Sequence, residues 1–263
     1  MSAQPPLNNH VKRLVLADRL ALGLIVRVCR SSEIALVARQ SGHDFIFIDT
    51  QHSAFDLETI SNLSIAALAM GISPLVRVRG YDDPDIPVLL DAGVAGVIVP
   101  DVADADQARQ VVRTCKYPPQ GARSFAGPTI SLAYAAVPPA EASRRLNEET
   151  LVVCMIENRR GLANVDEIAK VDGVDILHVG CGDLLMDMGK PGEFDSPEIA
   201  AAVSTVIQAC KDAGKIAGFG GDRNRDRQRR YIQEGVRFVT TQADIALLLQ
   251  AAIASVVELR PDA

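Results

Sequence analysis

One short phrase recurs along the chain: a helical segment, a glycine, and then a run of apolar, β-branched residues. It reads Ala38-Arg39-Gln40-Ser41-Gly42 before residues 45–49, Ala67-Leu68-Ala69-Met70-Gly71 before 74–78, and Leu89-Leu90-Asp91-Ala92-Gly93 before 96–100. It returns at Gly173, Gly214 and Gly235, before residues 176–180, 215–220 and 237–241. Glycine just past a helix end takes the left-handed backbone that turns the chain into the next strand. Residues 22–28 and 151–156 bring the number of strands to eight, each followed by a helical segment, the last at 243–259. Eight parallel strands with right-handed helical crossovers predict an α/β fold, a closed (β/α)8 TIM barrel, rather than an open doubly wound sheet. No GxGxxG follows the first strand, which argues against a dinucleotide fold. A single barrel domain spanning 1–263 accounts for the whole length.

Composition narrows the partners. A net charge of -6 and a pI near 5.3 argue against nucleic acid and anionic membrane surfaces, which favour a basic face. The basic run Arg223–Arg230 is read as a solvated helix face. No apolar run reaches the roughly 18 residues that span a bilayer, and residues 1–10 lack the charged-then-apolar pattern of an export signal. The expected location is cytoplasmic and the expected partners are small molecules. Five widely spaced cysteines without a CxxC pair predict reduced thiols, with neither a disulfide framework nor a zinc site.

Two segments depart from the repeat. The excursion 124–150 is too long for an ordinary helix-to-strand connection, which makes it a candidate lid or subunit contact, or a surface insertion with a short helix of its own. The closing helix 243–259 carries Ile245, Leu247, Leu248, Leu249, Ile253, Val256, Val257 and Leu259. A helix apolar nearly all round needs cover on two sides, which predicts a homo-oligomer contact.

A barrel of this kind places its chemistry at the carboxyl ends of its strands. The polar residues there are Asp49, Gln51 and His52 after strand two, Arg77 and Arg79 around strand three, and Asp101 after strand four. Glu157 ends strand five, Asp183 follows strand six, and Asp222 follows strand seven. A buried carboxylate needs an ion-pair partner or a metal, so Glu157 meets an arginine or, with Asp183, forms an oxygen-donor site of the kind Mg2+ or Mn2+ accepts. Arg77 within a strand needs an anion, from the protein or from a substrate. His52 is either a proton carrier beside Asp49 or a loop histidine bonded to a neighbour. His178 reads as a satisfied core histidine, and Cys181 is not counted as a ligand. Lys116 and Lys190 read as solvated loop residues, which leaves no Schiff-base lysine at a strand end.

Four stretches, in order and over nearly the whole chain, resemble the HpcH/HpaI aldolase/citrate lyase family, and within it the class II pyruvate aldolases. Asp49-Thr50-Gln51-His52-Ser53 is similar to the family's Asp-x-x-His element, and residues 74–78 to its strand-three arginine motif. Residues 112–127 resemble its Tyr-Pro-Pro-x-Gly-x-Arg signature, which includes Arg123. Residues 155–158 with 173–189 resemble its metal-site pair. The resemblance implies a barrel of the phosphoenolpyruvate/pyruvate type that cleaves a 4-hydroxy-2-oxo acid to pyruvate and an aldehyde through an enolate, as a 4-hydroxy-2-oxoheptanedioate aldolase does. It implies a divalent cation (Mg2+, Mn2+ or Co2+) held by Glu157 and Asp183. Arg77 would stabilise the enolate oxygen, and the amides near Gly182 and Asp183 would bind the carboxylate. His52, oriented by Asp49, would be the base. A hexamer built as a trimer of dimers is also implied.

The chain departs from that pattern at Gln51, where a glutamate is usual and where substrate contact is expected. It departs again at Cys181-Gly182, which replaces Pro-Ala, and at Leu185, which replaces serine. These positions leave open a different aldehyde or the related decarboxylation of oxaloacetate; cleavage of a CoA ester, the reading of the citrate-lyase branch, would need a basic or adenine-binding surface and a longer chain, and the sequence offers neither. A non-catalytic binding barrel is the alternative of a different class.

Overall fold

The computed structural model describes residues 9–260; the amino-terminal stretch read above for export signals lies almost wholly outside them. Eight parallel strands close into a barrel in sequence order: β1 (Ala21–Val26), β2 (Phe45–Asp49), β3 (Ser73–Arg77), β4 (Gly96–Val99), β5 (Leu151–Ile156), β6 (Ile176–Gly180), β7 (Ile216–Gly220) and β8 (Val236–Ala243). The (β/α)8 architecture is the one predicted. Strand one ends two residues earlier than expected, because the Asp244 carboxylate accepts the backbone N–H groups of Arg27 (3.0 Å), Val28 and Cys29 (2.8 Å) and draws them out of the ladder.

The helices are α1 (His10–Leu16), α2 (Ile34–Gln40), α3 (Leu57–Ala69), α4 (Ile86–Asp91), α5 (Ala105–Cys115), α6 (Pro139–Glu149), α7 (Arg159–Ala163), α8 (Val165–Ala169), α9 (Cys181–Asp187), α10 (Pro197–Ala213), α11 (Arg225–Glu234) and α12 (Asp244–Leu259). The glycines of the recurring phrase serve the turns they were read for. Gly214, at φ 65°, ends α10 so that β7 can begin two residues later.

Alternation along the strands sorts their side chains into two cores. Ile46, Ile48, Val76, Val97, Val152 and Leu177 face the helices. Ile25, Phe45, Phe47, Leu75, Ile98, Val153, Met155 and Phe238 fill the barrel, closed at its amino-terminal end by Val11, Leu14 and Val15 of α1. The inward parity continues past this apolar layer. Ile25 leads to Arg27, Phe47 to Asp49, Leu75 to Arg77, and Met155 to Glu157. The fold thus stacks one polar layer on the apolar one, at the carboxyl ends of the strands.

The excursion 124–150 contains a 3-10 turn, Ile130–Leu132, and α6. It joins α5 to β5, so it belongs to the amino-terminal end of the barrel, where its turn packs beside Gly93 at the end of α4. A lid over this chain's own strand ends does not fit that position. Tyr117, Leu132, Ala142 and Leu146 give the excursion a small core of its own. Lys116 is buried beneath it rather than solvated, since the returning chain covers it: Nζ donates to the carbonyls of Asn147 (2.7 Å) and Thr150 (2.6 Å), and burial pushes it down to about 8.

Candidate active site

A cavity of about 290 Å³ opens at the carboxyl ends of the strands, and its wall includes Arg27, His52, Arg77, Glu157, Gly182 and Asp183. Four of the predicted residue types, from four different strand ends, therefore meet. Asp49 and Gln51 do not reach the wall.

Asp49 lies under it, fully buried. Its register partner is Arg77, whose Nε and Nη2 donate to the two carboxylate oxygens at 3.0 and 2.8 Å. Arg27 Nε adds a third bond at 2.8 Å. Burial alone would raise this carboxylate, but the Arg77 and Arg27 bonds and the Arg77 charge outweigh it and hold Asp49 below the usual range. Asp49 also accepts the backbone N–H groups of Gln51 and His52, each at 3.2 Å. Its hold on His52 is thus through the backbone of the turn, while its side chain aligns Arg77. The imidazole of His52 stays exposed at the cavity mouth. Gln51 leaves its side-chain oxygen buried without a hydrogen-bond partner among the described residues.

Glu157 is the opposite case. It is 2 % exposed, Oε1 accepts the Asp101 N–H at 2.9 Å, and Oε2 has no partner among the described residues. Asp101 makes that bond from a left-handed backbone, φ 54°. On β6 only a glycine fits beside this carboxylate, because a Cβ at Gly180 would collide with Glu157 Oε2. Among the described residues no arginine pairs with Glu157, which leaves the ion-pair reading without a partner. Burial pushes Glu157 up to about 8, and the charges of Asp101 and Asp183 add to the effect. Asp101 is raised too, by burial first and by Asp183 second. With Glu157 and Asp101 both raised and one Glu157 oxygen bare, Glu157 and Asp183 offer a pair of oxygen donors that a divalent cation would satisfy. Among the described residues no group of three or more His, Cys, Asp or Glu forms a cage. A cation there would draw its remaining oxygens from substrate and water.

Other expected residues lie elsewhere. Arg79 pairs with Asp83 and Asp85, and Asp222 is buried against Arg227. Arg123 packs over the Tyr117 ring and bonds Asp91, at the amino-terminal end. Cys181 is buried at the start of α9, and Leu185 is buried in the outer core. Lys190 pairs with Glu198 and is no Schiff-base candidate.

Three wall residues were not anticipated. Arg27 follows the inward alternation Gly23, Ile25, a signal legible in the sequence. Arg223 was read as part of a solvated basic run; Arg225, Arg229 and Arg230 are exposed, but Arg223 turns inward and its Nη1 donates to the carbonyls of Thr240 and Thr241, both at 2.9 Å. His178 is buried, yet Nδ1 lacks a partner among the described residues. Burial, with the charges of Arg77 and Arg223, pushes it down to about 3 and keeps it neutral.

Residues 28–251 match the family model of the HpcH/HpaI aldolase/citrate lyase proteins. The chain belongs to the HpcH/HpaI aldolase/citrate lyase family. Among its HpcH/HpaI relatives, a 4-hydroxy-4-methyl-2-oxoglutarate aldolase of Chaetomium globosum is 35% identical, with 93% of each chain covered. A 4-hydroxy-2-oxo-heptane-1,7-dioate aldolase of Klebsiella pneumoniae is 34% identical over 94% of this chain and 92% of that one. The crystal structure of an HpcH/HpaI aldolase from Desulfitobacterium hafniense superposes with a TM-score of 0.92 at 26% identity, covering 96% and 97% of the two chains. This HpcH/HpaI protein is accordingly an enzyme, a carbon–carbon lyase of aldolase type.

Proposed function

We propose that the protein is a divalent-cation-dependent pyruvate aldolase that cleaves a 4-hydroxy-2-oxo acid to pyruvate and an aldehyde. The observation that carries this reading is the meeting of His52, Arg77, Glu157 and Asp183 on one small cavity wall. Glu157 and Asp183 would hold the cation, Mg2+ or Mn2+ by the preference of an all-oxygen donor set. When bound, it supplies Lewis-acid polarisation of the 2-oxo group.

The chain's own residues account for the rest. Arg77, fixed by two bonds to Asp49, presents a guanidinium that cannot swing away as negative charge grows on the C2 oxygen. The first N–H groups of α9, at Gly182 and Asp183, have no partner within the helix and suit the substrate carboxylate. His52 at the mouth takes the C4 hydroxyl proton. The C3–C4 bond then breaks, its electron pair passes to the enolate, and the C4–O bond becomes the aldehyde carbonyl. Protonation of the enolate at C3 yields pyruvate.

The α12 helix supports a homo-oligomer. Leu248, Leu249, Ile253, Val256 and Val257 are each more than half exposed, an apolar surface that water alone covers poorly. Among the described residues no helix is long and apolar enough to cross a membrane.

The test is pyruvate release from 4-hydroxy-2-oxoglutarate and from 4-hydroxy-4-methyl-2-oxoglutarate. Release is expected with added Mn2+ or Mg2+ and is expected to stop with EDTA. Absence of pyruvate under every cation sinks the reading.

A further inference from the structure

The cavity wall is not uniformly acidic. On its side formed by β6, β7, β8 and β1 stand Arg223, Arg27 and the neutral His178, with Thr240 between and with Gly220 and Gly221 as a floor without side chains. Barrel closure sets this grouping. Arg223 is tied down on the β8 carbonyls, β8 pairs with β1, and Arg27 follows β1 directly.

The charges on this side do not cancel. Asp49 is one carboxylate shared by two guanidinium groups, those of Arg77 and Arg27. Among the described residues Arg223 is in no ion pair, and both its anchors are neutral carbonyls. Burial and the neighbouring Arg27 charge lower its hold on its proton, as expected of two cations facing a common space. His178 is 1 % exposed, wedged between Gly218 and Gly220, where a Cβ would crowd its ring. Its Nδ1 lies against Gly218 and has no partner among the described residues, while Nε2 lies toward Gly220 on the cavity wall. A half-buried guanidinium with no anion on it is costly, and a carboxylate bound there would offset that cost.

We propose that Arg223, Arg27 and His178 form an anion pocket for a carboxylate on the acceptor half of the substrate, so that the aldehyde or ketone released from C4 is itself an acid. The inference rests on the aldolase reading and extends it to the end of the substrate that pyruvate does not occupy. Arg223 is the specificity-determining residue, since Arg27 also supports Asp49. A cavity of about 290 Å³ has room for a short dicarboxylic acid.

Two measurements test this on the full chain loaded with Mn2+. Calorimetry compares 2-oxoglutarate with 2-oxopentanoate, which differ only in the distal carboxylate. The wild-type protein is expected to bind the diacid about 10- to 100-fold more tightly. Arg223→Met is expected to erase most of that preference, and Arg223→Lys to restore part of it. Aldol condensation with pyruvate then compares glyoxylate with glycolaldehyde, and the ratio of their kcat/KM values is expected to fall by about the same factor in Arg223→Met. Equal binding of the two oxo acids by the wild type, or an unchanged preference in a folded Arg223→Met, overturns the pocket. Failure of every condensation would instead count against the aldolase reading, while the calorimetry still decides the pocket.

Discussion

The two ends of the barrel are built from the same residue types and treat them in opposite ways. At the amino-terminal end Asn9 caps α1 and donates Nδ2 to the carbonyls of Ala95 and Glu149, both at 2.9 Å. Its Oδ1 accepts from Ser73 Oγ at 2.8 Å, and Lys12 pairs with Asp175 at 2.9 Å. These polar groups beneath the strands find partners, so they hold strands together; the atoms left unpaired at this end among the described residues, Tyr117 Oη, Arg123 Nε and Thr129 Oγ1, lie in the connection between α5 and β5. At the carboxyl end Glu157, Gln51 and His178 each keep a buried polar atom without a partner among the described residues. A desolvated polar atom with no partner costs roughly 1–3 kcal/mol, and its persistence where a cavity opens marks a place prepared for something the protein chain does not supply. Within that end the contrast repeats: Asp49 is saturated by two arginines and Glu157 by none.

The contrast breaks most severely at Glu157. Glu157→Gln keeps the shape and removes the charge, so pyruvate release should fall by about 10³-fold, as for loss of a principal electrostatic element. The cation-free protein should at the same time become more stable at pH 8. The sign follows from the raised carboxyl: the folded state prefers it protonated, so stability is fully present below pH 4.5 and is lost as the pH rises to about 8. Melting curves of cation-free wild type should therefore drop across that window, and Glu157→Gln should flatten the drop. A variant with the wild-type pH dependence would mean that Glu157 is not the buried, unpaired group.

His52 sharpens the comparison within the cavity. His52→Ala should lower aldol cleavage by about 10²- to 10⁴-fold with little change in Tm, because the ring is exposed. Oxaloacetate decarboxylation reaches the same enolate without a hydroxyl proton to remove, and it should survive the substitution if the protein catalyses it. Loss of both activities together would move His52 out of the proton-transfer role.

The smallest effect belongs to the other end. Asn9→Ala removes the α1 cap and one hydrogen bond each from the Ala95 and Glu149 carbonyls, which should cost about 2 kcal/mol in chemical denaturation. kcat/KM should stay within about twofold of wild type, since no Asn9 contact reaches the cavity.

Much of this was legible in the chain. The glycine-spaced phrase gives the strand count, and an apolar run closing on a charged residue, as in Phe45–Asp49 or residues 151–157, marks a strand end. Arg27 was legible in principle, two residues past Ile25 on the inward face. Lys116 was not: it becomes buried only when a helix distant in sequence returns over it. Arg223 was hidden for the opposite reason, since a basic run looks solvated until one member turns inward onto β8.

The sequence by itself determined which side chains stand in the polar layer, because a period of two residues is a local property of a strand. Only the tertiary structure decided which of them are paired. Electrostatic pairing depends on distance and on exclusion of water, and both are set when the barrel closes and brings β8 beside β1. Pairing of β1, β2 and β3 gives Asp49 its two arginines, the neighbours of β5 leave Glu157 bare, and closure of β8 on β1 puts Arg27 and Arg223 on one wall.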